Sequence, residues 1–203
     1  SGCRACLIDA DGAIRAEAAV DLPAPLAHDG GREQDAELWW QGLEQLLDQL
    51  AGRTPLSGIT ALSLDGTSGT LLLCRHDGSL LEGTLARALS YAQACPEQGA
   101  AAAAIAGGPH AQPGPAASAS GSLARALALI HAALRSLVAQ PWLLRHQADW
   151  LMGWLLGDWR WGEAGNNLRL GWDPREPGWI GRIAEQSWSA CLPRICASGT
   201  VLG

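Results

Sequence analysis

Residues 59 to 74, ITALSLDGTSGTLLLC, constrain the fold more than any other stretch of this chain. ITALSL is apolar on both parities of an extended backbone, so as a strand it must be covered on both faces. Asp65 ends the run. A small loop, GTSG, follows it, and then a second apolar run, TLLLC. The pattern predicts strands at 59–65 and 70–74 inside a sheet layered with helices, an α/β arrangement.

The rest of the chain supplies matching parts. CRACLID (3–9) and AIRAEAAVDL (13–22), joined by the turn DADG, read as a hairpin ended by Pro23 and Pro25. ELWWQGLEQLLDQL reads as a helix capped by Asp35, with Leu38, Leu43, Leu46, Leu47 and Leu50 at helical spacing. RHDG after TLLLC is a turn, and SLLEG a candidate short strand. Residues 99–121, rich in Ala, Gly, Pro and Ser, read as a loop with one short helix. A helix over 122–138 with Ser120 or Ser122 as its cap follows, then a second over about 145–157. The stretch 158–179 reads as irregular, IGRIAEQSWSACL as a last short helix, and 200–203 as an edge strand.

With 203 residues, 48% of them hydrophobic, the chain can bury a sizeable core. A net charge of -6 disfavours nucleic acid and anionic membrane surfaces as partners. All 14 basic residues are arginine. The absence of lysine excludes a Walker-type phosphate lysine, a protein-kinase strand lysine and Schiff-base chemistry in these residues. No leader or bilayer-spanning run is visible, and the six cysteines fit a reduced, cytoplasmic setting. Cys3 and Cys6 fall on opposite faces of their strand, which argues against a shared metal or a redox pair. The five histidines are scattered without metal-ligand spacing, so no metal site is expected.

Several segments, in this order, resemble the FGGY carbohydrate kinases, and within them the D-ribulose kinase, xylulose-kinase-like branch. They are SGCRACLIDADG, SLDGTSGTLLLC, LSYAQACP (89–96), SGSLARAL (120–127), QADWLMGWLLG (147–157) and GNNLRLGWDP (165–174). The resemblance covers nearly all 203 residues and is to the first of the family's two lobes. It implies a ribonuclease-H-like, actin-like lobe: a mixed sheet with hairpins, flanked by helices. It also implies an ATP-dependent transfer of phosphate to a ketopentose or related polyol, with Mg²⁺. The family's ATP site and catalytic base belong mostly to the second lobe, so no catalytic residue is expected in this chain. The family's first strand, which ends in Asp-x-Gly-Thr before Ser-Gly, would precede Ser1. The expected partners are a sugar and the C-terminal lobe of the same protein, with a homodimer as an option. A non-catalytic sugar-binding or assembly module is the alternative.

Phosphoryl transfer to a hydroxyl is mostly positioning and electrostatics, which short loops at strand ends can supply. Gly66 lets backbone amides approach a ligand, Thr67 and Ser68 offer hydroxyls that donate and accept, and Asp65 can accept from two sugar hydroxyls. The competing reading is a plain turn in which Asp65 bonds its own backbone. The resemblance sets Ser1, Gly2 and Arg4 beside the cleft, and Tyr91 and Gln93 in the sugar-site loop. Arg4 could equally be a surface arginine, and Tyr91 a packed side chain. Trp39, Trp150 and Trp154 read as core. Trp159, Trp161, Trp172 and Trp179 either line a cleft or pack it.

Overall fold

The computed structural model describes residues 2–28, 31–107 and 114–203. Strands β1 (Gly2–Ile8) and β2 (Ile14–Asp21) form the expected hairpin, antiparallel, with Cys3 opposite Val20 and Leu7 opposite Ala16. Asp9 builds the turn, its Oδ1 accepting from the amides of Asp11 and Ala13 at 3.0 and 2.9 Å. Alternation puts Cys3 and Ala5 on the inner face, packed with Ala16, Ala18 and Val20 against Leu46 and Leu50. Cys6 lies on the exposed face, and all six cysteines are free thiols.

Next come β3 (Leu26–His28), β4 (Gly31–Asp35) and helix α1 (Glu37–Ala51). Every leucine that marked the helix is at least half-buried, and Trp39 is buried with them. Asp35 does not cap α1; the N-cap position is Ala36. The carboxylate of Asp35 instead bridges the Glu37 amide and the Arg87 guanidinium, so an ion pair at the sheet takes the acid that local sequence assigns to the helix end.

Strand β5 (Leu71–Cys74) is buried at all four positions, as its pattern requires. Leu71 and Leu73 face one apolar cluster; Leu72 and Cys74 face a second, built around Trp39, Trp150 and Trp159. Burial of each leucine contributes about 2 kcal/mol, which makes β5 the anchor of the sheet. With β6 (Arg87–Leu89) it belongs to a five-stranded sheet, completed by β7 (Leu143–His146). The strand order is β3-β4-β6-β5-β7, and each pairing is antiparallel.

The expected strand at 59–65 is absent. Among the described residues, no backbone-to-backbone hydrogen bond forms from Thr60 to Asp65, and Leu62 is 54% exposed. Both-parity apolarity says what a segment would bury; a strand also needs a neighbour to supply its ladder, and the described residues offer none. SLLEG likewise contributes only a single bridge, Leu80 to Cys74, before a 3-10 turn leads into β6.

Helices α2 (Pro96–Ala106) and α3 (Ser122–Arg135) cover one face of the sheet. Pro96 at the first position of α2 has no amide to leave unpaired. The N-cap of α3 is Gly121, and neither Ser120 nor Ser122 caps it. Helix α4 (Gln147–Leu156) follows β7 directly and sets Trp150 and Leu151 in the second cluster. Trp150 is 1% exposed and meets Trp39 and Trp154 edge-on at 6.2 and 6.0 Å. Trp159 packs edge-on against Trp154 at 5.0 Å and is buried, so it fills the core and lines no cleft. Among the described residues no helix is long and apolar enough to cross a membrane.

The remainder is short: β8 (Trp161–Glu163), α5 (Ala164–Asn167), β9 (Trp172–Asp173), β10 (Gly178–Trp179) and β11 (Arg194–Cys196), the last parallel to β8. No α-helix forms over IGRIAEQSWSACL, only a 3-10 turn at Ser189–Cys191, and no strand at 200–203. Successive i to i+3 backbone bonds, from Ile183 to Ile180 through Leu192 to Ser189, make this a series of tight turns. Ile183, Trp188 and Cys191 still bury, pinning the turns to the core.

Candidate functional site

The loop after Asp65 is held mainly by bonds between its backbone and side chains. The Asp65 carboxylate accepts from the Gly66 amide at 2.7 Å, as in the plain-turn reading, while the residue stays exposed. The Thr67 amide donates to Gln147 Oε1 at 2.9 Å, and the Gln147 amide to the Thr70 carbonyl at 3.1 Å, so the first turn of α4 braces the loop. Gly69 has φ +88° and turns the chain into β5. Thr67 and Ser68 are exposed at its tip.

A second loop lies beside it. The Tyr91 amide donates to Thr70 Oγ1 at 3.1 Å, and the Tyr91 ring is 55% exposed. Gln93 is committed internally: its Oε1 accepts from the Arg32 amide at 2.6 Å and its Nε2 donates to the Ala94 carbonyl at 2.7 Å. It therefore shapes the loop, while one amide hydrogen and one carbonyl lone pair of Gln93 remain beyond these two bonds.

Arg125 joins the two. Its side chain is fully buried, with Nε donating to the Gly69 carbonyl at 2.8 Å and Nη1 to the carbonyls of Gln93 and Ser120, each at 2.9 Å. Burial, and then the nearby Arg169, lower its pKa to about 10. Arg169 itself reaches the Ser120 carbonyl at 3.4 Å from the rim.

The structure thus links the end of the Asp65–Ser68 loop, at Gly69 and Thr70, to the loop of Tyr91 and Gln93. Gly2 and Arg4 sit on the exposed face of the hairpin, a separate two-stranded sheet, opposite Asp21 and Ala19. Among the described residues no hydrogen bond links them to residues 65–70. Ser1 lies outside the described residues. Sequence reasoning passed over Arg125, Gln147 and Thr70. The available signal was a guanidinium at the fourth residue of an otherwise Ala- and Leu-rich helix start, SLARAL, where an apolar side chain would suit the core.

Behind the loops lies a buried polar group. Asp149 accepts from the Glu163 amide at 3.0 Å and from Asn167 Nδ2 at 3.2 Å. Burial outweighs those bonds and raises its pKa to about 6. His146, at the end of β7, is lowered to about 3 by burial and then by Arg125, and neither of its ring nitrogens has a partner among the described residues. The two groups oppose one another. Between about pH 4 and 6 the folded chain keeps a proton on Asp149 that the unfolded chain releases, so this contribution to stability falls as pH rises. The unfolded His146 takes up a proton below about pH 6.5 and the folded one does not, so its contribution falls as pH falls. Each slope is about 1.4 kcal/mol per pH unit. Asp149→Asn removes the first slope. Its Tm is expected to drop further than the parent's on going from pH 6 to pH 4, and identical profiles would refute the assignment.

Among the described residues no three His, Cys, Asp or Glu side chains cluster so as to hold a metal ion. A groove of about 640 Å³ lined by Asp35, Trp40, Glu44, Arg87 and Trp154 shares no lining residue with the two loops.

No known protein-family profile matches the sequence. Solved structures do match it. A ligand-bound xylulose kinase from Lactobacillus acidophilus is 13% identical over 95% of this chain, with a TM-score of 0.66. The likeness is one of fold. A carbohydrate kinase from Novosphingobium aromaticivorans (21% identity, TM-score 0.64) and a gluconate kinase from Lactobacillus acidophilus (15%, 0.64) match over the same 95%. The chain spans about two fifths of those proteins, 39–40% of each. The fold is therefore mixed α/β, with antiparallel sheets and helices arranged as in part of a carbohydrate kinase.

Proposed function

We propose that this chain is the sugar-binding lobe of an ATP-dependent, cytoplasmic sugar kinase acting on a ketopentose, such as a ribulose- or xylulose-like sugar, or on a related polyol. The fold is then ribonuclease-H-like, the first of two lobes. The observation that carries this reading is the match to three carbohydrate kinases over 95% of the chain. The loop geometry agrees with it. Exposed Asp65, Thr67 and Ser68 lie on the loop that enters β5 and exposed Tyr91 on the loop that follows β6, and these loops are held from behind. Hydroxyls that donate and accept, next to a carboxylate, suit a polyhydroxylated ligand. Among the described residues, one lone-pair direction of one Asp65 oxygen is taken, by the Gly66 amide, and the rest of the carboxylate can accept from a sugar.

Among the described residues no three metal-ligating side chains cluster, and the chain has no lysine. In this reading most of the nucleotide site and the catalytic base belong to the second lobe. This lobe orients the accepting hydroxyl and excludes water around it.

The test is a coupled ADP-release assay over pentuloses and polyols with the full-length protein, alongside calorimetric binding. Asp65→Ala is expected to raise the sugar KM by about tenfold or more, the loss of one hydrogen bond to a charged acceptor. Unchanged kinetics would remove Asp65 from the site. Sugar binding without ADP release would assign a non-catalytic module, and no binding at all would overturn the reading.

A further inference from the structure

We propose that Arg125 is the positioning residue of this site: it sets the spacing between the loop 66–69 and the loop 91–93, and so the fit of the sugar between them. This deepens the sugar-kinase reading and rests on it.

The argument begins with what Arg125 bonds. Its partners are three backbone carbonyls, Gly69, Gln93 and Ser120, and the Ser122 hydroxyl. None is a carboxylate. A fully buried cation without an acid partner is an expensive way to stabilise a helix, and a leucine there would cover the core at less cost. What the guanidinium supplies that leucine cannot is geometry. Its planar fork fixes several donors at set angles. Here the fork spans three segments that are distant in sequence: the loop entering β5, the loop after β6, and the turn before α3.

Its position is equally specific. A Cβ built on Gly69 would lie 2.9 Å from Arg125 Nη2 and 3.5 Å from the Tyr91 Cβ. The loop backbone therefore rests directly on the guanidinium, with Tyr91 at its side. Arg125 is sealed from solvent, while Thr67, Ser68 and Tyr91 present their side chains outward. The arginine does not touch the sugar. It acts through the carbonyls of the two loops that do, and through the Tyr91 amide, whose bond to Thr70 Oγ1 keeps the loops in register. Lysine at 125 keeps the charge but reaches one carbonyl at a time, so the loops lose their common reference.

The test uses Arg125→Lys and, independently, Gly69→Ala, which pushes the loop off the guanidinium from the other side. In the full-length protein both are expected to raise the pentulose KM about tenfold while leaving the ATP KM unchanged. In the sugar-free state amide hydrogen exchange should rise in 66–70 and 90–94 and stay low in the body of α3. A merely structural role would raise exchange throughout α3 and move both KM values. If Arg125→Lys does not fold, Arg125→Gln, which keeps a planar donor but cannot span both loops, takes its place, because alanine at φ +88° strains the Gly69 loop by itself. A wild-type pentulose KM in either folded variant overturns the role of Arg125 alone. A parent protein that neither binds nor phosphorylates any pentulose or polyol overturns the sugar reading, and this role falls with it.

Discussion

Gly78→Ala is expected to lower the stability of the chain by about 3 kcal/mol and its Tm by roughly 6–12 °C. Gly78 closes the turn after β5 at φ +80°, where a side chain is strained whatever the surrounding space. Here there is no space. A Cβ on Gly78 would lie inside the Trp159 ring, overlapping Cε2 and Cζ2. The ring cannot retreat, because a Cβ on Gly153 would overlap its other edge at Cδ1, so the indole is held between two glycine backbones. Two further bonds lock it: Trp159 Nε1 donates to the Trp150 carbonyl at 3.1 Å, and Trp150 Nε1 to the Gly78 carbonyl at 2.9 Å. Relieving the clash would break this loop of contacts at the centre of the tryptophan cluster. Thermal melting by circular dichroism checks the prediction. A Tm within about 2 °C of the parent would show that the turn can shift and that the indole is not clamped.

The turn at Gly78 was legible in the sequence; its partner was not. Asp-Gly after an apolar run marks a turn by local chemistry alone. Nothing local marks Trp159, which lies 81 residues further on in a stretch without periodicity, as the ring that fills the gap above it. The same division holds elsewhere. The hairpin, α1, β5 and α3 were legible because their burial pattern repeats along their own sequence. Strand β7 was hidden because its last two residues are Arg145 and His146, polar side chains that are nonetheless buried. The turns of 180–192 imitated a helix because Ile180, Ile183, Trp188 and Cys191 fall at i, i+3, i+8 and i+11, while the backbone closes i to i+3 turns. The strand expected at 59–65 shows the converse error: the composition was right for a strand, but pairing is a property of two segments and no single one can announce it.

For the site, the readable part was the small, hydroxyl-rich loop itself. Its carboxylate and hydroxyls sit at residues 65–68, contiguous in sequence. The support was unreadable. Gln93 looked like a ligand residue and proves to be tied to Arg32 and Ala94, and Arg125 looked like helix composition and proves to carry two loops. Long-range bonds to carbonyls leave no trace in the residues that accept them, since every residue has a carbonyl.

Arg145 extends that point to stability, and its replacement is the second large effect expected. Arg145 is 1% exposed, and its guanidinium donates to the carbonyls of Trp159, Leu144 and Cys191. Cys191 and Trp159 belong to the two irregular stretches that follow α4, so this side chain ties the segment after α4 to the sheet. Arg145→Leu keeps most of the volume and removes the donors. Two inter-segment carbonyls are then left buried without these partners, at about 1–3 kcal/mol each. Against this stands the gain from no longer desolvating a cation. The carbonyl loss should win, because the leucine cannot refill the polar path between β7 and residues 159 and 191, and a net loss of about 3 kcal/mol is expected. Amide exchange should rise first in 159–163 and 189–196, ahead of β5. Equal stability of Arg145→Leu and the parent in urea would mean that desolvation outweighs the three bonds, and that the turns of 180–192 are held by Ile183 and Trp188 alone.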